Sequence, residues 1–329
     1  MIEKIEPWIK GKRILLLGYG REGQSTWNVL RRLGTYEALD IADLKAPAAL
    51  PEDGTVWHTG PDYQKCMDDY DVVFKSPGIV LERPENEYRC SILSQTEVFF
   101  QCFRDQIIGI TGTKGKTTTT FMVKGILEHA GYKVGLIGTI ETIIGDTHIP
   151  SSNTTPESYL VQKYFAQMVE AGCQICVMEV SSQGLMMHRT AGIPFEIGIF
   201  TNLAPDHIGP NEHASFEEYA ACKGMLFRQC RHGIANVDDE HFDMVLAGHT
   251  CDLETIGFSD RADYRASDME LIGRPGYLGV KYHVSGKIDM DVEIDVPGRF
   301  SVYNSLVAIA VCEHFKVSQE DLKAALKVV

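Results

Sequence analysis

The feature that most restricts this chain is the run Ile110-Thr111-Gly112-Thr113-Lys114-Gly115-Lys116-Thr117-Thr118. An apolar stretch, Ile107 to Ile110, precedes it, and a helical pattern from Lys116 to His129 follows. Strand, glycine-rich loop and helix in that order form the setting of a phosphate loop. Backbone N–H groups and the helix N-terminus offer positive potential to phosphate oxygens. Lys116 can reach the terminal phosphates, and the Thr117 hydroxyl can ligate Mg²⁺. The usual pattern has glycine five residues before Gly115; here that position is Ile110, so the front half is a variant. The plain alternative is a glycine turn before a helix.

A second strand–helix alternation precedes this one. Arg13 to Leu17 reads as a strand ending at Gly18, followed by a helix bearing Trp27, Leu30 and Leu33. Ala38 to Ala42 and Val72 to Phe74 read as further strands, the first ending at Asp43, the second closed by Ser76-Pro77-Gly78. Such alternation predicts parallel sheets with helices outside, so the fold class is α/β. Two domains are expected: a Rossmann-like unit over residues 1–104, and a phosphate-loop α/β unit over residues 105–329. Alternation between Tyr277 and Val296 predicts a small antiparallel sheet in the second unit. Helices are expected over Phe216 to Phe227, Tyr303 to Phe315 and Gln319 to Val329.

Composition narrows the partners. A net charge of −14 argues against nucleic acid, whose backbone needs a basic face. The N-terminus has no signal-peptide core, and no run of apolar residues is long enough to span a bilayer, so no membrane partner is expected. The nine cysteines are odd in number and lack metal-type spacing. Cys173 and Cys176 form a C-x-x-C inside an apolar run and read as strand residues. Reduced thiols suit the cytoplasm.

Other motifs fall beside strand ends. Glu179 closes the apolar run from Ile175; a buried carboxylate needs a partner, and Mg²⁺ beside phosphate is a natural one. Alternatively it serves a structural ion pair or cap. Thr201-Asn202-Leu203-Ala204-Pro205-Asp206-His207 follows another strand, at the edge where parallel sheets bind ligands. Lys223 shares a helical stripe with Phe216, Tyr219, Ala220 and Phe227; it either snorkels outward or has a task. Thr155 and Pro156 read as N-cap and first residue of a helix. Arg189 is either an anion clamp or a surface residue. Gly18-Tyr19-Gly20-Arg21-Glu22-Gly23, with Asp43 beyond it, matches a dinucleotide fingerprint, a weak signal by itself.

Together these residues resemble the Mur ligase family. The likeness rests on Thr111 to Thr118, Glu179-Val180-Ser181-Ser182, Thr201-Asn202-Leu203 with Asp206-His207, Tyr219 to Lys223, and Pro297-Gly298-Arg299-Phe300 with Tyr303-Asn304. Ser152 to Glu157 and Glu179 to Leu185 are most similar to the tripeptide-forming member. Gly18 to Gly23, Lys75 to Gly78 and Ser94-Gln95-Thr96-Glu97 are similar to the D-glutamate-adding member. Gln183 stands where the tripeptide enzyme commonly has histidine, and the segment Ile208 to Phe216 is longer than usual.

The resemblance implies an ATP-dependent ligase of peptidoglycan precursor synthesis, working as a cytoplasmic monomer. It joins an amino acid to a UDP-N-acetylmuramoyl peptide through an acyl phosphate. ATP would be held by Gly112, Thr113, Lys114, Gly115, Lys116, Thr117 and Thr118, with Asn304 near the base. Thr117 and Glu179 would hold one Mg²⁺; Glu179, His207 and a carbamylated Lys223 would hold a second. Gly18, Gly20, Asp43, Ser76 and Gln95 would lie near the UDP end of the substrate, and Thr154, Thr155, Ser181 and Arg189 near the muramoyl peptide. The family's amino-acid-binding third domain would follow Val329, so an incomplete ligase is expected. A folylpolyglutamate synthetase-like ligase, a NAD-dependent dehydrogenase and a nucleotide-binding regulator are the competing readings.

Overall fold

The computed structural model describes residues 5–45, 54–76, 78–94, 98, 106–206, 208–210 and 212–327, with only the backbone of 21–22. Gln95, Pro77 and His207 lie outside the described residues. The chain forms two compact units, Met1–Phe103 and Arg104–Val329.

In the first unit the strands are β1 (Arg13–Leu17), β2 (Ala38–Asp43), β3 (Trp57–Thr59), β4 (Val72–Lys75) and β5 (Ser91–Leu93). They pair in the order β3-β2-β1-β4-β5, all parallel. Leu15 and Leu17 pack with Ala42, Met67, Tyr70 and Val73 on one face. The helix Arg21–Leu33 returns the chain from β1 to β2 and ends at Gly34, whose φ of 62° suits a left-handed cap. The short edge strands β3 and β5 were not evident in the sequence; three residues carry too little alternation to read.

Gly18 and Gly23 of the first loop are there for space. A Cβ on Gly23 would sit 2.1 Å from the Gly18 carbonyl oxygen, so the helix can press against β1 only without a side chain. Gly23→Ala is therefore expected to destabilise this unit by about 1–3 kcal/mol, the usual cost of overpacking. All three tryptophans, Trp8, Trp27 and Trp57, belong to this unit, so denaturant unfolding followed by tryptophan fluorescence reads it separately. An unchanged midpoint would contradict the packing argument.

The second unit has β6 (Ile107–Thr111), β7 (Val134–Ile137), β8 (Glu141–Ile144), β9 (Thr147–Pro150), β10 (Ile175–Glu179), β11 (Phe195–Phe200), β12 (Cys230–Asn236), β13 (Asp252–Gly257), β14 (Tyr264–Arg274), β15 (Tyr277–Gly286) and β16 (Met290–Ile294). They form one sheet, β16-β15-β14-β13-β12-β11-β6-β10-β7-β8-β9. Its middle, β14 to β7, is parallel, while β8–β9 and β15–β16 add antiparallel margins. The expected small antiparallel sheet is thus not separate: β14 joins it to the main sheet through two residue pairs with β13, Ile256↔Tyr264 and Gly257↔Arg265.

Helices Lys116–His129 and Arg299–His314 cover the sheet, burying Met122, Val123, Ile126, Val302, Leu306 and Ile309 against Ile108, Val177 and Ile197. The second helix begins at Arg299, four residues earlier than expected. Gly298, at φ 99°, provides the turn that starts it there. Strand order reverses around β6, which lies between β10 and β11. Parallel strands place their carboxyl ends on one edge, and that reversal opens a crevice there. The loops after β6, β7, β10, β11 and β12 all emerge at this edge.

Candidate functional site

The loop after β6 is pinned by the loop after β11. Asn202 grips Lys114 twice: its Oδ1 accepts from the Lys114 N–H and its Nδ2 donates to the Lys114 carbonyl, both at 2.9 Å. The Thr113 N–H donates to the Asn202 carbonyl at 2.9 Å. Thr201 donates its hydroxyl to the Lys114 carbonyl, also at 2.9 Å. A Cβ on Gly112 would lie 2.0 Å from Thr201 Oγ1. Gly112 therefore allows the close approach of these two loops, although Ile110 holds the position of the usual first glycine. Gly115, at φ 83°, starts the helix Lys116–His129. Lys116 turns back over its own loop, Nζ donating to the Gly112 carbonyl at 2.8 Å and the Thr113 carbonyl at 3.3 Å. Burial lowers its pKa, against the opposing pull of Glu179 and Asp206. Thr118 lies exposed on the helix's first turn.

Glu179, at the end of β10, is fully buried. Its oxygens accept from the Thr117 hydroxyl at 3.0 Å, the Thr139 N–H at 2.9 Å and the Thr139 hydroxyl at 2.8 Å. Neutral donors thus satisfy the carboxylate that the sequence left in need of a partner. Gly138 makes room for it, since a Cβ there would meet Oε1 at 2.7 Å. Thr139, after β7, is a site residue that sequence reasoning missed. Its signal was positional: a threonine just past a parallel strand end. Thr154 reaches the same spot, its hydroxyl 3.1 Å from that of Thr139.

Thr155 does not cap a helix. The helix is Ser158–Glu170 and its N-cap position is Glu157. The buried Thr155 hydroxyl donates instead to the Glu179 carbonyl at 3.1 Å and accepts from the Ser181 N–H at 2.8 Å. Tying the loop to the end of β10 replaces the capping bond. Ser181 caps the short helix Ser182–Met186, accepting from the Gly184 N–H at 3.0 Å. Arg189 donates to the Thr155 carbonyl at 3.0 Å and pairs with Glu157 at 2.6 Å. Its guanidinium is thus held at this loop rather than loose on the surface.

The helix Phe216–Gly224 brings Lys223 to the site. The expected stripe is real, for Tyr219, Ala220 and Phe227 are fully buried and Lys223 is 2% exposed. Its Nζ lies 4.4 Å from the Tyr219 ring centroid, so the side chain does not snorkel. Burial and then the neighbouring Lys116 push its pKa down to about 7, with Asp206 and Cys222 opposing. The unfolded chain holds this proton up to the ordinary value of 10.5, the folded chain only up to about 7. Between those values the unfolded state binds the extra proton, so stability rises with pH. Lys223→Met is expected to flatten that rise in CO₂-free denaturant titrations at pH 7 and pH 9. An identical slope in both proteins would contradict the burial of this charge.

A cavity of about 180 Å³ is lined by Asn202, Asn236, Asp238, Tyr303 and Asn304 among others. Asn304 Oδ1 accepts from the Thr119 hydroxyl at 3.1 Å and lies 3.0 Å from where a Gly115 Cβ would be. Asp238 accepts from the Tyr303 hydroxyl at 2.8 Å and from the Phe258 and Ser259 N–H groups. Burial, reinforced by Asp238, raises the Tyr303 hydroxyl to about 12. Asp239 accepts from the Leu203 N–H at 2.9 Å. This acidic pair after β12 was also missed, though it follows the strand segment Ile234-Ala235-Asn236-Val237 much as Glu179 closes its own strand.

In the first unit, Gly18 has φ 98° and a Cβ there would meet Ser76 Oγ at 2.8 Å. Ser76 donates its hydroxyl to the Gly18 carbonyl at 3.3 Å. Gly20 precedes the helix, with open space where a Cβ would be. Asp43 accepts from the Tyr19 N–H at 2.7 Å and the Lys45 N–H at 3.1 Å. Gly18, Gly20, Ser76 and Asp43 thus surround one loop. Among the described residues, no three or more His, Cys, Asp or Glu side chains form a metal cluster. No described helix is long and apolar enough to cross a membrane.

Comparison with known proteins places the sequence and fold among known families. The family profile described as Mur ligase middle domain matches residues 110–312. A UDP-N-acetylmuramoyl-L-alanyl-D-glutamate--2,6-diaminopimelate ligase 1 from Clostridium acetobutylicum is 43% identical over 226 residues, 67% of this chain and 45% of that protein. The corresponding ligase of Clostridium botulinum is 40% identical over 223 residues, 68% of this chain and 45% of its own length. The chain therefore spans about half the length of these curated relatives. A solved structure of a UDP-N-acetylmuramoyl-L-alanyl-D-glutamate--2,6-diaminopimelate ligase shares the fold at a TM-score of 0.62 and 19% identity, covering 98% of this chain and 61% of that one. MurF from Acinetobacter baumannii does so at 0.56 and 14%, covering 98% and 60%. With the profile covering well over half its residues, this chain belongs to the Mur ligase family.

Proposed function

We propose that this chain supplies the ATP-binding and UDP-substrate-binding parts of a ligase that adds an amino acid to UDP-N-acetylmuramoyl-L-alanyl-D-glutamate in the cytoplasm. The observation that carries this reading is the Thr117–Glu179 hydrogen bond beside the phosphate loop, with Lys116 near enough to feel the Glu179 charge and Lys223 near enough to feel that of Lys116. Thr117 and Glu179 are linked at 3.0 Å, a hydroxyl and a carboxylate of the hard-oxygen kind that Mg²⁺ prefers. These two would hold one Mg²⁺. Glu179, a carbamylated Lys223 and His207, which lies outside the described residues, would hold a second. When bound, the ions neutralise phosphate charge.

In this mechanism the substrate carboxylate attacks the γ-phosphorus of ATP, and ADP departs. The amino group of the incoming amino acid then attacks the acyl phosphate carbonyl, and phosphate leaves. Lys116 is the cation of the step: its ammonium exchanges the loop carbonyls for phosphate oxygens and offsets the repulsion between two anions. Gly112 to Gly115 shape the loop, the first-turn N–H groups of Lys116, Thr117 and Thr118 have no partner within the helix, and Asn304 faces the cavity proposed for the base. Thr154, Thr155, Ser181 and Arg189 hold the muramoyl-peptide side. Gly18, Gly20, Asp43, Ser76 and Gln95 serve the UDP end.

Relatives 36–43% identical carry the tripeptide-forming ligase name, which supports that reading over the D-glutamate-adding one. The protein is proposed to act as a monomer without nucleic acid or membrane. Hydroxylamine trapping tests the reading: hydroxamate is expected only when ATP and the UDP-dipeptide are both present. ATP hydrolysis without hydroxamate would contradict it.

A further inference from the structure

His213 is fully buried, on the loop between β11 and the helix Phe216–Gly224. Burying an imidazole is costly unless its polar atoms are used. Its Nε2 is 2.8 Å from the Ser182 hydroxyl. Its ring packs on Tyr219 with centroids 5.1 Å apart, and Nδ1 lies 3.8 Å from Glu218. The Tyr219 hydroxyl is 3.1 Å from Thr113 Oγ1 in the phosphate loop. That same Thr113 oxygen accepts from the Ala204 N–H at 2.9 Å. A continuous path thus runs from Ser182, after β10, through His213 and Tyr219 to Thr113, after β6. The loop bearing His213 folds back on itself, the Gly209 N–H donating to the His213 carbonyl at 3.2 Å. This fold-back follows directly on Asp206 and His207.

We propose that His213 is a positioning residue of the phosphate site: anchored by Ser182, it backs Tyr219 and so sets Thr113 for nucleotide. A packing staple would hold the helix to the core and leave nucleotide affinity alone. A positioning residue passes any loss on to the phosphate loop. The proposal rests on the ATP reading above.

The test is calorimetric titration of the 329-residue chain with Mg-ATP, alongside thermal unfolding. His213→Phe keeps a ring against Tyr219 and deletes the bond to Ser182; Ser182→Ala deletes the same bond from the other side. Each is expected to weaken Mg-ATP about threefold to tenfold, the range for one hydrogen bond. The double variant should be no weaker than the worse single one, because both remove one interaction. His213→Gln, whose amide can reach Ser182, should recover part of the loss. Native affinity in both single variants would overturn the proposal, whatever their melting temperatures, as would fully additive losses. If His213→Phe does not fold, Ser182→Ala decides. Absence of Mg-ATP binding by the native chain would overturn the ATP reading and this inference with it.

Discussion

Lys116→Ala is expected to weaken Mg-ATP binding about 10- to 100-fold while leaving the fold intact. The lysine is the cation at the mouth of the phosphate loop, and a charged hydrogen bond to phosphate contributes about 1.5–3 kcal/mol. Its present partners are two carbonyls of its own loop, so the side chain already hovers where phosphate oxygens belong. Removing it unburdens the folded state of a partly desolvated charge, since burial is what lowers its pKa. Stability should therefore hold or rise even as binding falls. Hydroxamate formation should drop further than affinity, by about 10²–10³, because a donor aimed at developing charge counts most in the transition state. Unchanged affinity with unchanged hydroxamate would remove Lys116 from the site.

Lys223→Arg is expected to abolish hydroxamate formation, with a loss of at least about 10²–10³. Arginine keeps the positive charge and cannot form a carbamate. Lysine can, once its amine is neutral. With the pKa lowered to about 7, about half the amine is neutral at that pH. Labelled bicarbonate should accordingly give a carbamate carbon resonance in the native chain and none in Lys223→Arg or Lys223→Met. The signal should fade as the pH drops below about 7, where the amine takes up its proton. Lys223→Ala should be equally inactive, and added formate or acetate should restore part of the activity by refilling the oxygen position. Near-native hydroxamate formation by Lys223→Arg would return this lysine to a packing role.

Much of this site was legible because its residues follow strand ends. The phosphate loop leading to Lys116, Glu179 and the Thr201–Asp206 run each follow or close an apolar stretch, and parallel pairing brings such ends to one edge. Lys223 was legible from helical spacing, although only the structure separates burial from snorkelling. Thr139 and Asp238 also follow strand ends but were passed over, and His213 carried no such signal. Each acts through a neighbour that is distant in sequence: Thr139 through Glu179, Asp238 through Tyr303, His213 through Ser182. No local pattern encodes those pairings. Thr155 misled for a related reason. Its place before Pro156 and a helix has the form of a cap, but the end of β10 lies close enough to claim its hydroxyl. The merging of the antiparallel strands with the main sheet hangs on two residue pairs, Ile256↔Tyr264 and Gly257↔Arg265, too short a link to read from alternation.

The central claim is that the phosphate loop at Gly112–Thr118 takes ATP and the Gly18–Gly23 loop takes a UDP-linked muramoyl peptide. Calorimetry of the 329-residue chain with Mg-ATP, UDP-N-acetylmuramoyl-L-alanyl-D-glutamate and NAD tests it most directly. Binding of the first two, with Mg-ATP weakened in Lys116→Ala and no heat from NAD, is the predicted result. Binding of NAD without either of the others would contradict it.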